Sequence, residues 1–216
     1  MHVIYGGTFD PVHHGHLRLA VELKERLGVS GIAMVPCHIP PHREAPGTSS
    51  AQRLRLLELA VSGEPGLHVD DREVVRGGAS FTADTLRQLR ATLGEREPLA
   101  MVVGTDAFAG FDRWRDWQAI PDLAHIIVID RPGPGLPPDS APARLLAERR
   151  VASVAELHRR PSGGCLWLDL PLLDISATGI RERIRTGRSP RYLLPDVVWE
   201  AIRRDGLYGA GQPLRR

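Results

Sequence analysis

The sequence predicts an α/β fold, a doubly wound parallel sheet, on three observations. Short apolar runs rich in β-branched residues recur along the chain. They are continuous rather than alternating, as strands buried on both faces of a parallel sheet are. Helical stretches with recognisable caps separate them, so strand and helix alternate as right-handed crossovers require.

Val3–Tyr5, Ile32–Val35, Leu99–Val103 and Ile126–Ile129 are the runs of strand length. Leu17–Leu27 reads as a helix after a His-rich turn, stopped by Gly28. Ala51–Val61 follows Ser49, with Gln52 three positions on, the spacing of a capping box. Thr82–Leu93 follows Ser80 and ends at Gly94. Ser176–Arg185 begins on a capping serine and ends at Gly187, and Asp196–Arg204 ends at Gly206. These last two make a small C-terminal helical part. Residues 131–142 are rich in Pro and Gly and read as a mobile surface loop. A single domain over residues 1–208 is expected, with a frayed tail over 209–216.

Ligands of doubly wound sheets bind beyond the carboxyl ends of the strands, where the strand order reverses. Gly6–His16, Pro36–Arg43, Gly104–Asp106 and Arg131–Pro132 each follow a predicted strand. That places them together on one edge.

Composition narrows the function classes. With 216 residues, 42% hydrophobic and 25% charged, the chain is an ordinary globular one that needs no disulfide or metal to fold. A net charge of +2 is too mild to argue for a nucleic-acid partner. Lys24 is the only lysine, so arginine carries the positive charge, through codon bias or a use for forked donors. Cys37 and Cys165 are far apart and outside metal-ligand spacing, which suits reduced thiols in a cytoplasmic protein. Apolar runs such as Ile126–Ile129 are too short to span a bilayer, and a Gly-rich motif from residue 6 argues against a secretory signal. No membrane partner is expected. A homo-oligomer is compatible with the sequence, which carries nothing that fixes one.

The chemistry begins at Gly6-Gly7-Thr8-Phe9-Asp10-Pro11-Val12-His13-His14-Gly15-His16. Gly6 and Gly7 allow a sharp turn and bring backbone N–H groups close to a bulky anion. Pro11 fixes its own φ and keeps Asp10 extended. Gly15 opens a helix whose N-terminus carries partial positive charge and unpaired donors. His13 and His16, three apart, meet on one face of a helical turn. Beside a triphosphate, the doubly donating imidazolium is favoured. A Gly-Gly pair alone is most often only a turn. The three histidines also suggest a metal cluster, but the usual i, i+4 spacing and a completing cysteine or acidic face are missing.

The whole string resembles the signature of the nucleotidyltransferase superfamily, Gly-x-(Thr/Ser)-Phe-Asp-Pro-x-His-x-Gly-His. The resemblance implies a Rossmann-like nucleotidyltransferase fold in which His13 and His16 bind the triphosphate and stabilise the transition state. Thr8, Phe9 and Asp10 are carried over with them to the ATP site. A second segment, Ile175-Ser176-Ala177-Thr178-Gly179-Ile180-Arg181, sits at another helix start. Ser176 is placed to cap it, Thr178 to offer a hydroxyl, and Arg181, one turn on, to reach a phosphate. Alone this is a capped helix with an arginine; beside the first motif it resembles the family's second signature. Three catalytic residues follow: His13, His16 and Arg181.

The resemblance narrows to bacterial nicotinate-nucleotide adenylyltransferases. It is carried by Pro40-Pro41-His42-Arg43, Gln52-Arg53, Ser80-Phe81-Thr82, Gly104-x-Asp106, Trp114, Arg131-Pro132, Tyr192-Leu193-Leu194-Pro195 and Gly206-Leu207-Tyr208. It implies AMP transfer from ATP to nicotinate mononucleotide, with Mg²⁺ accompanying ATP and held mainly by its phosphates. Gly104 and Asp106 fall to the ATP side. His42, Arg43, Ser80, Phe81, Thr82, Trp114 and Arg131 fall to the nicotinate mononucleotide side, with helix-start N–H groups at residues 80–82 for the carboxylate and Trp114 for the ring. Two positions depart from the pattern: Phe81 stands where relatives commonly have Tyr, and Arg115 where they have an aromatic residue or histidine. The competing readings are a sister enzyme with another acceptor, a nicotinamide-preferring enzyme, a non-catalytic nucleotide-binding regulator and a His-cluster metalloprotein.

Overall fold

A computed structural model of the chain describes residues 1–40, 47–130, 133 and 135–211. Six strands form one all-parallel sheet: β1 His2–Gly7, β2 Ile32–Pro36, β3 Leu67–Val69, β4 Leu99–Gly104, β5 His125–Ile129 and β6 Cys165–Leu168. Their order is β3-β2-β1-β4-β5-β6, so the chain winds outward one way from β1 and the other way from β4. The expected doubly wound sheet is borne out, with its switch point between β1 and β4. Gly7 pairs with Pro36 and Gly104 with Ile129, which aligns the strand ends along one edge.

Ten α-helices connect and cover the sheet among the described residues: α1 His14–Leu27, α2 Ser50–Val61, α3 Arg72–Arg76, α4 Thr82–Leu93, α5 Thr105–Phe108, α6 Ile120–Leu123, α7 Ala141–Glu148, α8 Val154–His158, α9 Ala177–Arg185 and α10 Asp196–Arg204. Side chains along each strand point alternately to two apolar layers. Val3, Tyr5, Val102 and Ile127 join Leu23 of α1, Leu57 of α2, Ile180 of α9 and Ile202 of α10 on one face. Ile4, Met101, Val103 and Val128 join Leu86 and Leu89 of α4, Phe108 and Phe111 on the other. Both phases of each strand are apolar because both faces are covered. The C-terminal helices are part of that packing.

Several elements differ from expectation. α1 begins at His14 rather than Leu17, so Gly15 and His16 lie in its first turn; it ends at Gly28 in the left-handed conformation. Strands β3 and β6 were not expected, since runs of three and four residues fall below a readable pattern. α7 starts inside the expected loop, at Ala141, where Ser140 accepts from the Ala143 N–H. Ala210 is buried, so packing continues past residue 208; residues 212–216 lie outside the described ones. Neither cysteine is in a disulfide, and burial pushes the Cys165 thiol up to about 11.

His125 is a buried structural histidine at the start of β5. Its Nδ1 accepts from the Gly164 N–H at 2.9 Å and its Nε2 donates to the Arg160 carbonyl at 2.9 Å. That pairing fits only the neutral ring, and burial lowers its pKa, as it does that of His2. The unfolded chain then binds more protons below about pH 6.5, so stability is full above that value and falls as acid is added. The urea midpoint is expected to drop between pH 7 and pH 5, and to drop less steeply in His125→Gln; equal slopes would remove His125 from this role.

Candidate active site

The loop after β1 is shaped by its own aromatic residue. Phe9 adopts φ 49, in the left-handed region, and turns its ring into the core. A Cβ on Gly7 would lie 2.8 Å from that ring, so only glycine fits there. A Cβ on Gly6 would meet nothing within 4 Å. Gly6 therefore leaves space on the open side of the sheet edge, where a ligand's oxygens approach backbone. With its ring buried, Phe9 has its backbone to present at this edge.

His13 is the N-cap of α1 and only 5% exposed; His16 is half-buried one turn on. Their rings stack with centroids 3.7 Å apart, and Phe9 meets His16 edge-on at 5.0 Å. Gly15 makes the stack possible, because a Cβ there would stand 3.0 Å from the His13 ring. The spacing-based expectation of one shared face holds. The His13 N–H donates to His16 Nδ1 at 3.3 Å, so His16 has Nε2 as its donor rather than two outward N–H groups.

Asp10 turns inward. Its carboxylate is 6% exposed and accepts from the Tyr208 hydroxyl at 2.7 Å and from the Thr48 hydroxyl. Arg181 donates to the Asp10 carbonyl at 2.6 Å and stands 3.7 Å from the carboxylate. Burial pushes the Tyr208 phenol far above its ordinary value, so it remains a donor. Asp10 thus ties the Gly-rich loop to Thr48, Tyr208 and Arg181. The Asp10–Pro11 peptide bond is cis.

The second motif folds as expected. Ser176 caps α9 by accepting from the Gly179 N–H at 3.1 Å, and Arg181 donates to the Thr178 hydroxyl at 3.2 Å. Arg181 therefore bridges the two motifs, with about a third of its side chain in solvent.

A cavity of about 500 Å³ gathers the remaining residues: Thr8 and Pro40 on one side, Ser80, Phe81 and Thr82 at the start of α4, and Asp106, Gly110, Arg113, Trp114 and Arg115 opposite. Thr8 belongs to the Gly-rich loop and to this cavity. Trp114 packs on Phe111, with centroids 5.2 Å apart, and keeps part of its ring accessible. Gly104 ends β4 and Asp106 is exposed in the first turn of α5. The Ser80 hydroxyl accepts the His38 N–H at 2.9 Å, and Phe81 is the N-cap of α4. His42, Arg43 and Arg131 lie outside the described residues.

Arg53 is a functional support that spacing alone did not assign. It is 0% exposed, and its fork donates to the Thr8 carbonyl at 2.7 Å and the His38 carbonyl at 2.8 Å. Burial lowers its pKa, yet an arginine stays charged. Its signal was phase: Arg53 shares the buried stripe of α2 with Leu56, Leu57 and Val61.

A family model for cytidylyltransferase-like proteins matches residues 4–183. A protein of Marinobacter nauticus described as a probable nicotinate-nucleotide adenylyltransferase is 66% identical over 210 residues, 97% of each chain. The chain belongs to the nicotinate-nucleotide adenylyltransferases. A Cellvibrio japonicus relative with the same description is 47% identical, covering 95% of this chain and 97% of its own. In fold, the chain is similar to Plasmodium falciparum nicotinic acid mononucleotide adenylyltransferase complexed with NaAD, at TM-score 0.74, 15% identity and 98% coverage of both chains.

In this adenylyltransferase, Arg53→Met strips two buried carbonyls of their donor. A loss of about 3 kcal/mol in unfolding free energy is expected from urea titration. A change below measurement error would mean that the Gly-rich loop does not depend on Arg53.

Proposed function

We propose that this chain transfers AMP from ATP to nicotinate mononucleotide, releasing pyrophosphate and nicotinate adenine dinucleotide as a step of NAD biosynthesis in the cytoplasm. The observation that carries the reading is that Thr8 joins two built compartments. On one side stand the Gly-rich loop, His13, His16 and Arg181; on the other is the cavity closed by Phe81, Thr82 and Trp114.

The acceptor's 5′-phosphate is already anionic, so its oxygen attacks the α-phosphorus without a general base. The new P–O bond forms as the bond to the β-phosphate breaks, and pyrophosphate leaves in line. Alignment and charge stabilisation then supply the catalysis, with no covalent enzyme intermediate. His16 donates through Nε2 and Arg181 through its guanidinium to the oxygens that gain charge, while the N-termini of α1 and α9 add partial positive charge. His13, stacked on His16, fixes that ring and lines the same cradle. Gly6, Gly7, Thr8 and Gly15 serve the triphosphate through backbone and space. Ser176 and Thr178 hold α9 and Arg181 in place, and Gly104 and Asp106 face the nucleoside.

Among the described residues no group of three or more His, Cys, Asp or Glu side chains is arranged to hold a metal ion. The donor set suits a Mg²⁺ that arrives on the triphosphate, keeps its waters and takes phosphate oxygens as ligands. It would neutralise part of the charge on departing pyrophosphate. Thr82 and Phe81 N–H groups at the start of α4 suit the pyridine carboxylate, and Trp114 the ring.

Pyrophosphate release from MgATP with nicotinate mononucleotide, nicotinamide mononucleotide or phosphopantetheine tests the assignment. Turnover is expected to be fastest with nicotinate mononucleotide; equal or better use of either other acceptor would sink it. Removing magnesium with a chelator should stop release with every acceptor. In His16→Ala, kcat is expected to fall about 100-fold or more, and near-normal turnover would take His16 out of the catalytic role.

A further inference from the structure

Two residues that line the acceptor cavity, Phe81 and Arg115, touch each other. The Arg115 guanidinium lies over the Phe81 ring, 4.4 Å from its centroid. Phe81 is the N-cap of α4 with extended backbone, which aims its ring at the cavity that it lines together with Trp114 and Arg115. Arg115 is fastened from behind by Asp84, in the first turn of the same helix, at 3.5 Å. Asp84 also pairs with Arg87 at 3.1 Å, and Arg87 with Asp116 at 2.9 Å. In this cluster two acids balance Arg87 and Arg115. Arg113 adds a cation and Asp106 an acid to the cavity lining.

The face of the Phe81 ring attracts the guanidinium, and the stack restricts a side chain that is otherwise half exposed. Five N–H donors serve one carboxylate contact, which leaves donors directed away from Asp84. Building on the acceptor reading above, we infer that Arg115, held over Phe81, is a specificity-determining residue: its guanidinium selects an anionic pyridine carboxylate over a neutral carboxamide at the cavity rim. Lysine would not reproduce this, because an ammonium lacks the planar face and the fork.

The test compares kcat/KM for nicotinate mononucleotide and nicotinamide mononucleotide, at saturating MgATP, in the wild type, Arg115→Gln, Arg115→Lys and Phe81→Leu. In Arg115→Gln the preference for nicotinate mononucleotide is expected to fall about fivefold to tenfold, the worth of one charge-assisted bond in a partly exposed setting. The loss should appear in KM for that acceptor, with KM for ATP held. Phe81→Leu should lose most of the same preference and Arg115→Lys part of it. Raising salt should narrow the wild-type preference more than that of Arg115→Gln. An unchanged preference in Arg115→Gln, or an equal loss with both acceptors, would overturn the inference while leaving adenylyl transfer intact. A wild type that used neither acceptor would overturn the acceptor reading and this inference with it.

Discussion

One buried carboxylate ties the site together. Asp10 lies at the bend between β1 and α1, and four parts of the chain converge on it: its own loop, Thr48 before α2, Arg181 in α9 and Tyr208 near the C-terminus. A carboxylate this far from solvent is costly unless its oxygens are satisfied, and here two hydroxyls and a nearby guanidinium do so. The same contacts fix Arg181 relative to His13 and His16. Those three side chains come from helices α1 and α9, which meet only through tertiary packing. The geometry of the phosphate cradle therefore depends on Asp10.

The fold supplies the rest of the constraint. A strand order that reverses between β1 and β4 opens a crevice at their carboxyl ends, and helix starts point their N–H groups into it. Arg53 then fixes the floor from below by bonding carbonyls of both the Gly-rich loop and the chain after β2. The proposed reaction, with no base and no covalent intermediate, asks mainly for alignment, and a crevice braced by buried polar contacts suits it. The acceptor side is built differently. Its walls are ring faces and half-exposed arginines, which suits discrimination between ligands more than transition-state stabilisation.

Much of this was legible in the sequence, for physical reasons that also mark where legibility stopped. Continuous apolar strands and capped helices revealed the sheet, since both signals are local. The Gly6–His16 string pointed to the candidate site, because glycine space, helix start and histidine spacing lie within one short segment. The partners of Asp10 were not legible, because they are 38, 171 and 198 positions away and no local pattern announces them. The partner of the Ser80 hydroxyl was not legible either, since the His38 N–H that it accepts lies 42 residues earlier. Strands β3 and β6 escaped because their partners make them strands, while three or four residues of propensity do not. Phe81 and Arg115 were visible as separate departures; only the fold shows them as one stacked pair.

The claim that Asp10 works through Arg181, without touching the nucleotide, is tested most directly by a double-mutant cycle on kcat for pyrophosphate release. Asparagine at position 10 keeps an acceptor for Tyr208 and Thr48 but removes the charge beside Arg181. The account predicts that Asp10→Asn slows the wild type yet causes little further loss in an Arg181→Ala background, the signature of two residues acting as a unit. The same fractional loss in both backgrounds would contradict it and give Asp10 an independent role at the substrate.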